Sequence, residues 1–159
     1  WWDLRPSARF QTLEMRVTDV CTRLGDAVTV AALLVCIARM LVRLRRNNQS
    51  WRTYPVFLLE ENRWRAQRYG LQGSLFDFGR GKLIPYADLL EEILALIHED
   101  AIALGCLHDV LGARRILAQG TSADRQLACF ANAIAAGATR QEALEAVVDH
   151  LIAETRQPS

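Results

Sequence analysis

No stretch constrains this chain more than Asp26 to Arg46, where Val30, Leu33, Leu34, Ile37, Met40, Leu41 and Leu44 recur at intervals of three and four residues. That spacing draws one apolar stripe along a helix, and such a stripe has to be covered by other elements of a core. Ala27 to Ala38 is apolar nearly throughout. Crossing a bilayer takes about 20 such residues, and Arg39 and Arg43 interrupt the run first, so it reads as a buried helix and not as a membrane span. The polar cluster Asn47-Asn48-Gln49-Ser50 ends it.

Around this helix the chain divides cleanly. Trp1 to Asp19 reads as extended, two short strands split at Pro6, because proline lacks a ladder donor and biases its predecessor away from helix. A second helix follows Pro55, carries Phe57, Leu58, Glu61, Asn62, Arg65 and Arg68, and stops at Gly70. Ser74 to Phe78 and Lys82 to Ile84, joined by Gly79-Arg80-Gly81, read as a hairpin. Helices are expected from Asp88 to Leu104, stopping at Gly105, and from His108 to Ala118, stopping at Gly120. Thr121 with Asp124, and Thr139 with Glu142, have the hydroxyl-then-acid spacing of a capping box and open two more helices. Arg156 to Ser159 read as a loose tail. The whole is α+β: part of an antiparallel sheet backed by a mostly helical C-terminal region.

At 159 residues, 51% of them hydrophobic, the chain fits one domain with a sizeable core. Its 19 basic and 18 acidic residues nearly cancel, so no overall field recruits nucleic acid or an anionic membrane. Locally, Arg39, Arg43, Arg45, Arg46, Arg52, Arg63, Arg65 and Arg68 crowd the middle of the chain. Cys21, Cys36, Cys106 and Cys129 form no CxxC pair and read as free thiols of a reducing cytosol. His98, His108 and His150 lack the paired spacing of metal ligands. Gly79-Arg80-Gly81 lacks the longer pattern of a phosphate-cradling loop and reads as a tight turn.

Chemistry is concentrated near the start, in Arg5 to Asp19, RPSARFQTLEMRVTD. Glu14 and Arg16 are two apart in a strand-like run, so a carboxylate and a guanidinium share a face, extended by Thr12 and Thr18. Leu13, Met15 and Val17 alternate onto the other face, which is expected to pack on a core. By pattern alone this is also what an ordinary half-solvated strand looks like.

Together with ENRWRAQRYGLQG at Glu61 to Gly73, in that order and with a long helix between, this run resembles the carboxylate-amine ligase family, the type 2 glutamate-cysteine ligases with a glutamine synthetase-like catalytic domain. The resemblance covers nearly the whole chain and corresponds to the C-terminal part of one such domain, with the N-terminal part absent. It implies ATP-dependent joining of glutamate, or a similar carboxylate, to an amine such as cysteine through a γ-glutamyl phosphate, in the cytoplasm. It further implies that Glu14 is a magnesium ligand and that Arg16 is catalytic, facing the phosphoryl group or the γ-carboxylate. Arg5 and Arg9, on the approach to the same strand, are assigned to the nucleotide, since guanidinium forks suit phosphate. The cofactors implied are ATP and Mg2+, with no nucleic acid and no membrane among the partners, and the piece alone is expected to be inactive. The roles of Arg63, Arg65 and Arg68 stay open between substrate contact and ion pairing. Two other classes also stay open: a helical module gripping single-stranded nucleic acid with the arginines and Trp51, Tyr54, Trp64 and Tyr69, and a homodimer platform using the alanine-rich surface around Ala131 to Ala138.

Overall fold

The computed structural model describes residues 3–156. Expectations for Trp1, Trp2 and Gln157 to Ser159 lie outside the described residues, and Arg156, read as tail, is the last residue of a helix. In chain order the elements are β1 (Leu4–Pro6), β2 (Leu13–Met15), α1 (Leu24–Arg46), α2 (Val56–Tyr69), β3 (Ser74–Asp77), β4 (Lys82–Pro85), α3 (Tyr86–Ala103), α4 (Leu107–Gln119), α5 (Ser122–Ala135) and α6 (Arg140–Arg156). The fold is α+β, with two separate antiparallel ribbons, β1–β2 and β3–β4, among the described residues.

The core is a three-helix contact. Ala32, Cys36 and Met40 of α1 bury against Leu94, Ile97 and Ala101 of α3 and Val110 of α4. Periodicity located α1 and one edge of the face it buries: Met40 of the expected stripe is in the core, and Leu33, Ile37 and Leu44 pack beside it. The buried residues of α1 are Asp26, Thr29, Ala32, Cys36 and Met40, so the helix is rolled relative to the expected stripe, and Leu41 is 42% exposed. The cause lies in α4. Gly112 comes so close that a Cβ there would stand 2.2 Å from Thr29 Oγ1, a proximity that small side chains on α1 permit and leucines do not. Leu33, Ile37 and Leu44 flank the seam half-buried. Other flanks are open: Leu24, Val28, Val35 and Val42 are exposed, so the expectation of a buried helix holds for one side only. By length and composition α1 would also reach across a bilayer. What holds it to protein here is the helix contact and Asp100 of α3, which is fully buried and accepts from Arg39 Nη1 at 2.7 Å and Arg43 Nη2 at 2.8 Å.

Both capping boxes form. Asp124 N–H donates to Thr121 Oγ1 while Thr121 N–H donates to Asp124 Oδ2 at 2.8 Å. Thr139 N–H likewise donates to Glu142 Oε2 at 2.7 Å and Glu142 N–H returns to Thr139 Oγ1 at 3.3 Å. The pair α5–α6 is tied to the start of α1 through polar groups: Glu154, 2% exposed, takes hydrogen bonds from Thr22 Oγ1 at 2.7 Å and Arg125 Nε at 2.6 Å.

In the β3–β4 hairpin Ser74 pairs with Pro85 and Asp77 with Lys82. Asp77 Oδ1 accepts from Gly79 N at 2.9 Å and Arg80 N at 3.1 Å, and Gly81 takes φ +67°, which completes the expected turn. Asn62 of α2 holds this ribbon from the side. Its carboxamide donates to Phe76 O at 2.9 Å and accepts from Phe76 N at 2.7 Å, while Arg65 Nε donates to Ser74 O at 2.9 Å.

Candidate functional site

The β1–β2 hairpin is built by its turn. Ser7 Oγ accepts from Arg9 N at 3.2 Å and Phe10 N at 3.0 Å, and Ser7 N donates to Thr12 O at 3.0 Å, which sets Arg5 directly opposite Glu14 in the register. Directly paired side chains share a face. The guanidinium of Arg5 accordingly ion-pairs with Glu14 Oε2, and Arg16 Nε donates to Glu14 Oε1 at 3.0 Å. Desolvation is the largest single influence and raises the Glu14 carboxyl, but the hydrogen bonds and charges of Arg16 and Arg5 together outweigh it and hold the group below its ordinary value. The strand expected to run on toward Asp19 is short, ending at Met15, and Arg16 lies just beyond it. The expected core packing of its other face is not found: Leu13 is 55% and Val17 54% exposed. A two-stranded ribbon has no second layer of its own to bury them.

Three of the four proposed site residues, Arg5, Glu14 and Arg16, therefore meet, with a net charge of +1. Arg9 sits on the intervening turn, its guanidinium 5.3 Å over the Phe10 ring. One carboxylate between two guanidiniums suits an anionic ligand such as a phosphate or carboxylate. It does not by itself suit Mg2+, which wants several oxygen ligands. Both Glu14 oxygens are engaged by arginines, and among the described residues no group of three or more His, Cys, Asp or Glu could hold a metal.

The second motif shows what sequence reasoning missed. Asn62 and Arg65 hold β3, whereas Arg63 Nη1 crosses to the first hairpin and pairs with Asp3 Oδ1 at 2.8 Å. Arg68 is exposed. Arg39, Arg43, Arg52, Arg63 and Arg65 all have acidic partners within the chain. Of the aromatic residues put forward for base stacking, Trp51 packs on the core and Tyr54 on Phe78, with ring centroids 5.2 Å apart. Trp64 and Tyr69 stay about half exposed, so the nucleic-acid alternative loses its support on the arginines named here and on two of its four aromatics. A groove of about 350 Å³ beside Met40, Trp51 and His98, and one of about 420 Å³ beside Arg39, Arg46 and Asn47, lie on the α1 side of the molecule and include none of the four candidates. The four cysteines are free; burial pushes the Cys36 thiol, 3.4 Å from that of Cys106, up to about 12, far from a reactive thiolate.

The chain is thus an α+β fold that presents an arginine-flanked carboxylate on a ribbon with an uncovered face. The chain belongs to the family described as glutamate-cysteine ligase family 2 (GCS2), whose profile matches residues 1–150. It is 65% identical over 158 residues to a protein of Rhodospirillum rubrum provisionally named glutamate–cysteine ligase 2, a match covering 99% of this chain and 41% of the relative. A protein of the same provisional name from Paracoccus denitrificans is 54% identical over 157 residues, covering 99% of this chain and 42% of the relative. One from Jannaschia sp. is 51% identical over 152 residues, covering 96% and 40%. The chain thus spans about two-fifths of the length of the curated relatives it matches.

Proposed function

We propose that the complete protein is an ATP-dependent carboxylate-amine ligase of the glutamate-cysteine type, working in the cytoplasm where ATP and cysteine are supplied. The observation that carries this reading is the family match along residues 1–150. In the proposed reaction an oxygen of the glutamate γ-carboxylate takes the γ-phosphoryl group of ATP and ADP departs. The cysteine amine then attacks the acyl carbon and expels phosphate. Charge builds on the phosphoryl oxygens, and fixed cations aimed at it are the main lever a protein has.

Arg16 is assigned to that charge, and Arg5 and Arg9 to the nucleotide phosphates. Support comes from the positive balance around Glu14, where two guanidiniums face one carboxylate. Glu14 is assigned one place in a magnesium shell whose other oxygens would come from nucleotide phosphate, water and further carboxylates of the complete polypeptide. In holding the metal, Glu14 would exchange one of its two arginine contacts for it. The described residues provide one carboxylate there, so the chain by itself is expected to be inactive. Ala131, Ala135 and Ala136 at the end of α5 are exposed, and a homodimer through them is proposed for sedimentation of the complete protein to test.

The test is ADP release by the complete protein with glutamate and cysteine. Wild type should depend on both substrates, and Arg16→Ala should lower kcat by roughly 10²–10³, the range for losing one charge-stabilising donor. Glu14→Gln should raise the magnesium concentration needed for half-maximal rate. Absence of substrate-dependent ADP release in wild type would sink the ligase reading, and full turnover by Arg16→Ala would sink its assignment.

A further inference from the structure

We propose that Arg63 of α2 is a positioning residue for Arg16, acting through Asp3, so that the second sequence motif works by setting the geometry of the first. This rests on the ligase reading for its consequence in catalysis, but not for its structural content. Within the motif, Asn62 and Arg65 are committed to the backbone of β3, and Arg63 alone among these three turns to the other ribbon. Its Nη1 stands 2.8 Å from Asp3 Oδ1 and 3.0 Å from Oδ2, against 3.8 Å from Glu60 on its own helix. Asp3 in turn accepts the Arg16 backbone N–H on its carbonyl oxygen at 2.8 Å.

That bond lies at the open end of the hairpin, one step outside the terminal Leu4–Met15 pair. Open ends fray, and a two-stranded ribbon has little to resist it. The Arg16 N–H bond fixes where the residue leaves the strand, and with it the guanidinium that reaches Glu14 Oε1 at 3.0 Å. Arg63 therefore anchors the Asp3 end of this bond to a 14-residue helix. Both side chains of the pair are partly exposed, at 39% and 49%, and pairs of that kind add little to global stability. Cutting the tether should loosen residue 16 without unfolding the protein. A displacement of about 1 Å at a charge-stabilising group can cost about 10²-fold in rate.

The experiment uses the complete protein with Arg63→Ala, Arg63→Lys, Asp3→Asn and the double variant Asp3→Asn/Arg63→Ala. Hydrogen exchange at the Arg16 amide is read beside kcat, KM and Tm. The expected result is faster exchange at Arg16 in Arg63→Ala and kcat lowered about 10- to 100-fold. Tm should hold, Arg63→Lys should recover part of the rate, and the double variant should be no worse than the worse single one, as for residues acting in one chain. Unchanged exchange at Arg16, or losses that simply add, overturns the proposal. So does a fall in Tm that accounts for the lost rate. Exchange does not depend on turnover: if wild type makes no ADP but Arg16 exchange still responds to Arg63→Ala, it is the ligase reading that fails and the tether that stands.

Discussion

Glu154 is the charge most deeply placed in the network that joins α6 to α1, 2% exposed and reached by Arg23 Nη2 at 2.7 Å, Arg125 Nε at 2.6 Å and Thr22 Oγ1 at 2.7 Å. Burial pushes its carboxyl up, but Arg125, Thr22 and Arg23 prevail and bring it from 4.5 down to about 2. A depressed folded value means that the stabilisation is complete above the unfolded value of 4.5 and is lost as pH falls toward 2. Urea unfolding should therefore show a drop in stability over that window, and Glu154→Gln should flatten it. At pH 7 the same substitution should cost about 1–3 kcal/mol, since the part-buried Arg23 and Arg125 lose their shared carboxylate but keep Gln119, Gly120 O and Asp26. Glu154 was invisible in the sequence, where it is one acid on a polar helix and its partners are distant. The Glu14–Arg16 contact was legible because both members lie two residues apart and strand geometry alone brings them together. Its third member, Arg5, is placed by the sequence only on the approach to the same strand, since the pairing with Glu14 depends on the hairpin register.

Among the elements, boundaries could be read and orientation only in part. Thr121, Thr139, Gly105 and Gly120 mark helix ends through bonds and backbone angles made within a few residues, so the chemistry is local. Which side of α1 faces inward depends on Gly112 of α4, far along the chain, and periodicity carries no record of it. Gly112→Ala should cost about 1–3 kcal/mol, the usual range for overpacking a close contact. Pairing it with Thr29→Ala, which removes the hydroxyl that the new methyl meets, should recover part of that loss in a denaturant titration. Additive losses in the double variant would reject the Thr29 contact as the source of the cost.

For the molecule as a whole, the described surface is unequally finished. Leu24 is 58%, Val28 41%, Val35 51% and Val42 51% exposed along one side of α1, in a chain spanning about two-fifths of its curated relatives. Apolar stripes of this kind attract other apolar surface. The chain prepared alone should bind an apolar dye such as anilinonaphthalene sulfonate and sediment faster than a 17.9 kDa monomer, and Val28→Glu/Val35→Glu should reduce both signals. Equal dye binding by the double variant would place the sticky surface elsewhere. The rim of β3 is treated in the opposite way. Ser74 and Phe76, two apart, turn their outward main-chain groups toward α2, and the Asn62 carboxamide and Arg65 guanidinium occupy them. One amide side chain there imitates a neighbouring strand and leaves no vacant donor or acceptor on Phe76 for a real one. Along that rim, Phe76 offers a stray peptide or a second molecule no free main-chain pair to zip onto, which disfavours edge-to-edge growth in that direction.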